Sequence, residues 1–199
     1  MEEPDLIALD TSRPVWDRFF TVAPLVVIGT CEGERYDLAP KHMVTPVGWQ
    51  NYFGFVCTPR HATYHNAKHH GAFTVTFPRP SDVVLASLSA SPRCDRNGHK
   101  PALDGLPTFP ARVVEGVFLA DGYLFLECEL DRVVDGFGSN SLLVGRVVAA
   151  QALRAALRVS DRDGAEVVRD VPLLAYVAPG RYAEVAATHA FPFPAHFQR

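Results

Sequence analysis

The chain has 199 residues, and its formal net charge of −3 speaks against a broad nucleic-acid or membrane-surface role. Hydrophobic residues make up 48% and charged residues 21%, which excludes a disordered or fibrous chain and fits one domain with a core of its own. Proline is the outlier, at 16 of 199 residues against a usual ~5%, and points to a chain that turns often.

Residues 1–20 read as a lead-in, with Ser12 capping a short helix that runs to Phe20. The acidic start, Met1-Glu2-Glu3-Pro4-Asp5, lacks the basic and apolar regions of a signal peptide, and no run approaches the ~18 apolar residues of a membrane helix. A cytoplasmic protein is expected. Its four cysteines (Cys31, Cys57, Cys94, Cys128) contain no C-x-x-C pair and read as reduced thiols. Leu25 to Thr30 is a short β-branched run and reads as a buried strand, followed by a turn over Cys31-Glu32-Gly33-Glu34-Arg35. Tyr36 to Val47 reads as the returning strand. Pro40 and Pro46 would bend it or place it at an edge, because proline donates no ladder hydrogen bond. Asn51 to Cys57 is a third strand.

Thr58-Pro59-Arg60-His61 then reads as a turn, Ala62 to His70 as a helix with Gly71 at its C-terminus, and Ala72 to Phe77 as a fourth strand. Ser81 to Ser89 reads as a second helix with Ser81 as its N-cap. Residues 90–110 carry Pro92, Pro101, Pro107 and Pro110 and form a long loop, of the kind that gates pockets. Ala111 to Glu115, Tyr123 to Val134 and Ser141 to Ala150 read as strands, with Ala152 to Arg158 either helical or prolonging the last one. The tail from Ala186 is apolar but broken by proline, and is expected to pack on another surface, such as a second subunit. Short turns between so many strands predict a largely antiparallel sheet, closed or nearly so.

Three local patterns bear on chemistry. Gly136-Phe137-Gly138-Ser139-Asn140-Ser141 comes near G-x-G-x-x-G, but the strand pattern after it offers no helix N-terminus for a pyrophosphate. A glycine-rich β-turn accounts for it better. His61, His65 and His69 share one face of the predicted helix, yet Asn66 stands where H-E-x-x-H needs glutamate and Lys68 lies beside them. They read as a solvated polar face, and no metal site is expected. The third pattern is Thr58-Pro59-Arg60-His61-Ala62-Thr63-Tyr64-His65-Asn66. A strand end, an arginine and the first turns of a helix suit a phosphate, although a simple N-terminal capping cluster has the same spacing. Lys41, His42, Met43, Val44 and Thr45 form a mixed strand that can lay backbone amides and one apolar face along a flat ring, although an irregular edge strand explains the pattern equally well.

Several segments appear in a suggestive order. They are Pro24 to Thr30, Asp37-Leu38-Ala39-Pro40, Thr45-Pro46-Val47, Gly54-Phe55-Val56-Cys57, Arg60, Thr63 to Ala67 and Gly71 to Val75. Further on come Gly105-Leu106 to Ala111-Arg112-Val113, Leu126 to Leu130, Leu143 to Val147 and Gly180-Arg181-Tyr182-Ala183. The series over residues 20 to 185 resembles the flavin reductase-like family, with its FMN-binding split barrel. The resemblance implies a domain over 21–185 flanked by a lead-in (1–20) and a Pro/Phe tail (186–199). It implies a mainly β fold, a six-stranded antiparallel split barrel of Greek-key type with a few short helices, in a homodimer. Met43, Val44 and Thr45 would then line the flavin ring, and Cys57, Thr58, Arg60, Thr63 and Asn66 would hold the ribityl phosphate. The implied cofactor is FMN, or FAD in its place, with NADH or NADPH as hydride donor. A flavin-dependent monooxygenase is among the expected partners. Many relatives carry histidine just before the strand that starts here at Ser141. Asn140 stands there instead, as the candidate residue on the nicotinamide side. Asparagine hydrogen-bonds but carries no proton or charge at neutral pH, which motivates a second reading as an electron-transfer protein without an efficient nicotinamide site.

Overall fold

A computed structural model describes residues 5–94, 96–159 and 161–194. The β-branched run lies in β2 (Val26–Glu32), after a short β1 (Thr21–Pro24), and returns through a two-residue turn at Gly33-Glu34 into β3 (Arg35–Lys41). Gly33 takes a φ of +61° there, which glycine adopts without strain. The predicted Tyr36–Val47 strand is two strands, β3 and β4 (Val44–Pro46), parted at His42-Met43. β5 (Tyr52–Cys57) leads to α1 (Ala62–His70), which Gly71 ends in the left-handed region, and on to β6 (Ala72–Pro78). Then come α2 (Val83–Leu88), β7 (Thr108–Pro110), β8 (Val117–Leu119), β9 (Gly122–Phe137), β10 (Asn140–Ala152), α3 (Gly164–Asp170), β11 (Leu173–Ala178) and β12 (Arg181–Val185).

The main sheet has the order β3-β2-β6-β9-β10-β5-β4, with every pairing antiparallel. It is the expected antiparallel split barrel, seven strands across once β4 is counted. Strands β3 and β4, which carry Pro40 and Pro46, are at its edges, where a missing N–H costs least, and the proline of β6, Pro78, is that strand's last residue. A smaller sheet, β1-β11-β12, and the β7-β8 pair complete the β structure. The core inside the curl is aromatic and aliphatic: Ile28, Phe55, Phe73, Val75 and Leu143 are each fully buried. Gly145 on β10 makes room for the Phe73 ring, since a Cβ there would stand 2.5 Å from its Cζ. The glycine-rich segment is the β9–β10 hairpin turn, with Gly136 and Gly138 at positive φ.

Several expectations are corrected. No helix runs from Ser12 to Phe20; Ser12 bonds the Asp10 carboxylate through both its N–H and its hydroxyl, a local turn that competes with capping. Ser81 is not the N-cap of α2. A 3-10 turn over Pro80–Asp82 precedes that helix, and the Asp82 carboxylate accepts from the Arg79 backbone N–H. The last alternating segment stays in β10 to Ala152 and then makes a 3-10 turn over Arg154–Ala156. Residues 186–194 carry no regular secondary structure, and Phe191 is 71% exposed. Residues 1–4 of the lead-in and 195–199 of the tail lie outside the described residues.

Ala111 to Glu115 is not a strand either, and the cause is a buried carboxylate. Glu127 on β9 is 1% exposed and accepts hydrogen bonds from the backbone N–H groups of Arg112, Val113 and Val114 at 2.6–3.1 Å. Three donors that would serve a ladder converge on one anion instead. Glu127→Gln keeps the volume but removes the charge and presents an amide NH2 to those donors. The expected cost is about 2 kcal/mol, read as a fall in melting temperature of roughly 4–8 °C in thermal denaturation.

Candidate functional site

One cavity of about 620 Å³ opens between the end of β3, the start of α1 and the loop after α2. Its volume is in the range of small-molecule sites. Lys41, Arg60, Arg93 and Lys100 bring four cations to its walls, and Asp37 is the carboxylate among its lining residues. Asp37 is 2% exposed. Its Oδ1 lies 2.8 Å from Lys100 Nζ and 3.0 Å from Arg93 Nη2, ion pairs by distance but without aligned hydrogen-bond geometry at that oxygen. Thr63 Oγ1 donates to Oδ2 at 3.4 Å. Lys100 also donates to the carbonyls of Leu38 and Ser89, and Arg93 to Gly98 O and to Glu32. The loop after α2 is thereby tied to the cavity wall.

The first turn of α1 is open to an anion. His61 is its N-cap without a side-chain cap bond, and no acidic residue stands in the first turn. The Tyr64 N–H turns back to the His61 carbonyl at 3.1 Å, and the N–H groups ahead of it, with the positive end of the helix dipole, are left for a ligand. Thr58 Oγ1 accepts from the Arg60 N–H at 3.4 Å and shapes the turn into the helix. Arg60 is exposed at the shared rim of this cavity and of a shallower recess formed with Thr58, Asp135, Asn140 and Ser141. An uncapped helix start beside surplus cations suits a phosphate ester, the group by which FMN would be held.

A family model described as "Flavin reductase like domain" matches residues 19–177. The chain belongs to this flavin reductase-like family. Its fold is similar to that of nitrilotriacetate monooxygenase component B from Bacillus cereus (TM-score 0.79, 17% identity, covering 95% of this chain and 100% of that one). It is also similar to flavoredoxin from Methanosarcina acetivorans (TM-score 0.76, 16% identity, 96% and 97% covered). A third similar structure is an FMN-binding protein from Thermus thermophilus bound to 1-cyclohex-2-enone (TM-score 0.74, 22% identity, 94% and 99% covered). Among curated proteins, none matches the chain.

Within this flavin reductase-like frame, the sequence-derived residues fall into groups. Lys41, Arg60 and Thr63 meet at the cavity. Thr58 sits at the adjoining turn and Cys57 is buried at the end of β5, with burial pushing its thiol pKa up. Asn66 faces elsewhere: its Nδ2 donates to Thr30 Oγ1 at 3.3 Å, away from the cavity lining. His42, Met43, Val44 and Thr45 continue from Lys41 along the sheet edge outside the cavity. Met43 and Thr45 are exposed, Val44 packs on the core, and the Met43 carbonyl accepts from Val56 N–H. Asn140 opens β10 and lies exposed in the recess beside Arg60. Sequence reasoning missed Arg93, Lys100 and the role of Asp37. The signal within reach was the long loop at 90–110, whose two inward cations only the fold brings to Asp37.

Burial, followed by the charge of Lys41, lowers the pKa of His42, whose ring packs on Tyr176 with centroids 4.5 Å apart. Burial, then Lys41 and Lys100, lowers that of His61. Both fall below the ordinary 6.5, so under weakly acidic conditions the unfolded chain binds more protons than the folded one. Each histidine therefore subtracts stability as pH drops from about 6.5. His42→Gln is expected to flatten the fall of melting temperature between about pH 7 and about pH 5, and an unchanged slope would contradict the assignment.

Proposed function

We propose that the chain is an FMN-dependent oxidoreductase that passes hydride from a nicotinamide to flavin. The observation that carries this reading is the uncapped α1 N-terminus beside Arg60 on a cavity with four cations. Bound flavin supplies the hydride- and electron-accepting chemistry, and the protein supplies binding and orientation. Arg60 neutralises the phosphate, the leading N–H groups of α1 hydrogen-bond it, the Thr63 hydroxyl turns its proton from Asp37 to the phosphate, and Lys41 adds charge at the ring end. The edge from His42 to Thr45 then lies where an apolar ring would rest. That edge and the loop after it are open to solvent, with Met43 52%, Val47 38% and Trp49 87% exposed, which supports a homodimer whose second copy closes the ring side. The flavin reductase-like family and the monooxygenase component among similar structures favour delivery of reduced flavin to a partner monooxygenase.

Asn140 favours a second reading. Its amide supplies no proton or positive charge to a nicotinamide, so an FMN-binding electron carrier fits the same site. Mixing FMN-loaded protein with NADH and with NADPH in a stopped-flow instrument separates the two. Rapid bleaching of the flavin absorbance by either donor supports the reductase, and none with both leaves the carrier.

The binding site itself is tested by flavin-fluorescence titration. Arg60→Ala removes a charge-assisted contact worth about 2 kcal/mol, so FMN affinity should fall by roughly thirtyfold. Arg60→Ala with Thr63→Ala should weaken it further. Unchanged affinity in the double variant would overturn the phosphate assignment.

A further inference from the structure

At the opposite end of α1, three ligand-type side chains converge from three separate elements. Cys31 is on β2, His70 is the last residue of α1, and Glu115 is on the segment between β7 and β8. Their ligand atoms all lie within 4.8 Å of one another. From the geometry we infer that Cys31, His70 and Glu115 form a binding site for a borderline-soft divalent cation of the zinc class, separate from the flavin cavity.

The ligand set selects the metal. A thiolate and an imidazole prefer zinc-like ions, whereas magnesium and calcium want oxygen alone. Three protein ligands with a fourth position left to water is a known zinc arrangement. With zinc–ligand bonds of about 2.0–2.3 Å, tetrahedral ligand atoms stand roughly 3.6 Å apart. Closing from the present spacing asks only for small rotations, and Glu115 is exposed and free to make one.

The backbone under each ligand is anchored. Glu127 takes the N–H groups of residues 112–114 and so sets the segment that carries Glu115. Cys31 Sγ already donates to the Glu115 carbonyl at 3.8 Å. The carbonyl of Gly71, next to His70, accepts from Leu130 N–H at 2.8 Å and pins the helix end to β9. The C-terminal end of a helix also carries negative potential, which favours a cation. From Ala62 to His70 is about 12 Å along the axis, so this site and the flavin cavity are at different ends of one helix.

The same trio could be imagined as a thiol nucleophile with its base. Burial, then Glu115, pushes the Cys31 thiol up to about 11, so it stays protonated and unreactive at neutral pH. A cation reverses this: the thiol releases its proton to buffer, a sulfur–metal bond forms, and no electrons are transferred. Tyr36, whose pKa is raised by burial and then by Cys31 and Glu115, stands beside the trio as its neighbouring phenol.

Cobalt(II) reads the site directly, because a cobalt–thiolate bond gives a near-ultraviolet charge-transfer band. The full chain is stripped with a chelator and carries Cys94→Ser, since Cys94 is the exposed thiol among the described residues. One equivalent of Co²⁺ is expected to produce the band, and Zn²⁺ to bleach it and raise the melting temperature. Cys31→Ala should abolish the band. Glu115→Gln, at the surface, should weaken Co²⁺ binding by at least about tenfold and serves as the decisive variant if Cys31→Ala does not fold. His69→Ala should leave the band intact. Absence of a thiolate band in the Cys94→Ser protein, or an undiminished affinity in Glu115→Gln, would overturn the site.

Discussion

Asp37 is the constraint on which the candidate site depends. A carboxylate 2% exposed is tolerable only if its charge is answered, and here the answers come from elsewhere in the chain. Lys100 and Arg93 reach it from the loop after α2, and Thr63 from α1. One anion on edge strand β3 thereby holds a helix and a long loop at set positions around a cavity. Removing either cation would leave a buried charge underpaired, which costs several times more than the pair itself contributes.

This arrangement also decides the sign of the cavity. Asp37 answers part of the positive charge, and Glu32 shares Arg93. Among the described residues, Arg60 and Lys41 stand at the wall with no carboxylate in ion-pair contact, beside the uncapped start of α1. The surplus is local, which is why a chain with net charge −3 can still present an anion site. The two ends of α1 then divide the labour: its N-terminus offers N–H groups and positive potential, its C-terminus carbonyls and negative potential. A phosphate at the first and a cation at the second are the complementary uses of one dipole.

Local signals were legible in the sequence wherever neighbours in the chain decide the outcome. α1 runs over the predicted residues because its composition, the preceding turn and Gly71 all act within a few positions. The β9–β10 hairpin was legible for the same reason. The β11–β12 pair and α3 were not anticipated, although they carry ordinary strand and helix residues, because the segment has no strong period. Of the candidate site, Arg60 and Thr63 could be placed from the turn into α1. Arg93 and Lys100 could not, since they lie 56 and 63 positions from Asp37 and only the curl of the sheet joins them. The separations of Cys31, His70 and Glu115 likewise match no metal motif, and the histidine the fold selects is outside the His61, His65, His69 face.

The segment between β7 and β8 shows the same long-range control in its sharpest form. Its residues Ala111 to Glu115 include Val113 and Val114, a β-like composition that predicts a strand. A strand would send those N–H groups to a neighbouring backbone. Glu127, buried on β9, instead collects three of them, and an anion buried in a low-dielectric core binds such donors more strongly than a neutral carbonyl does. The propensity of five residues yields to the desolvation cost of one carboxylate. The bend that results turns Glu115 outward toward Cys31 and His70, so the buried charge that breaks the strand also positions the exposed one.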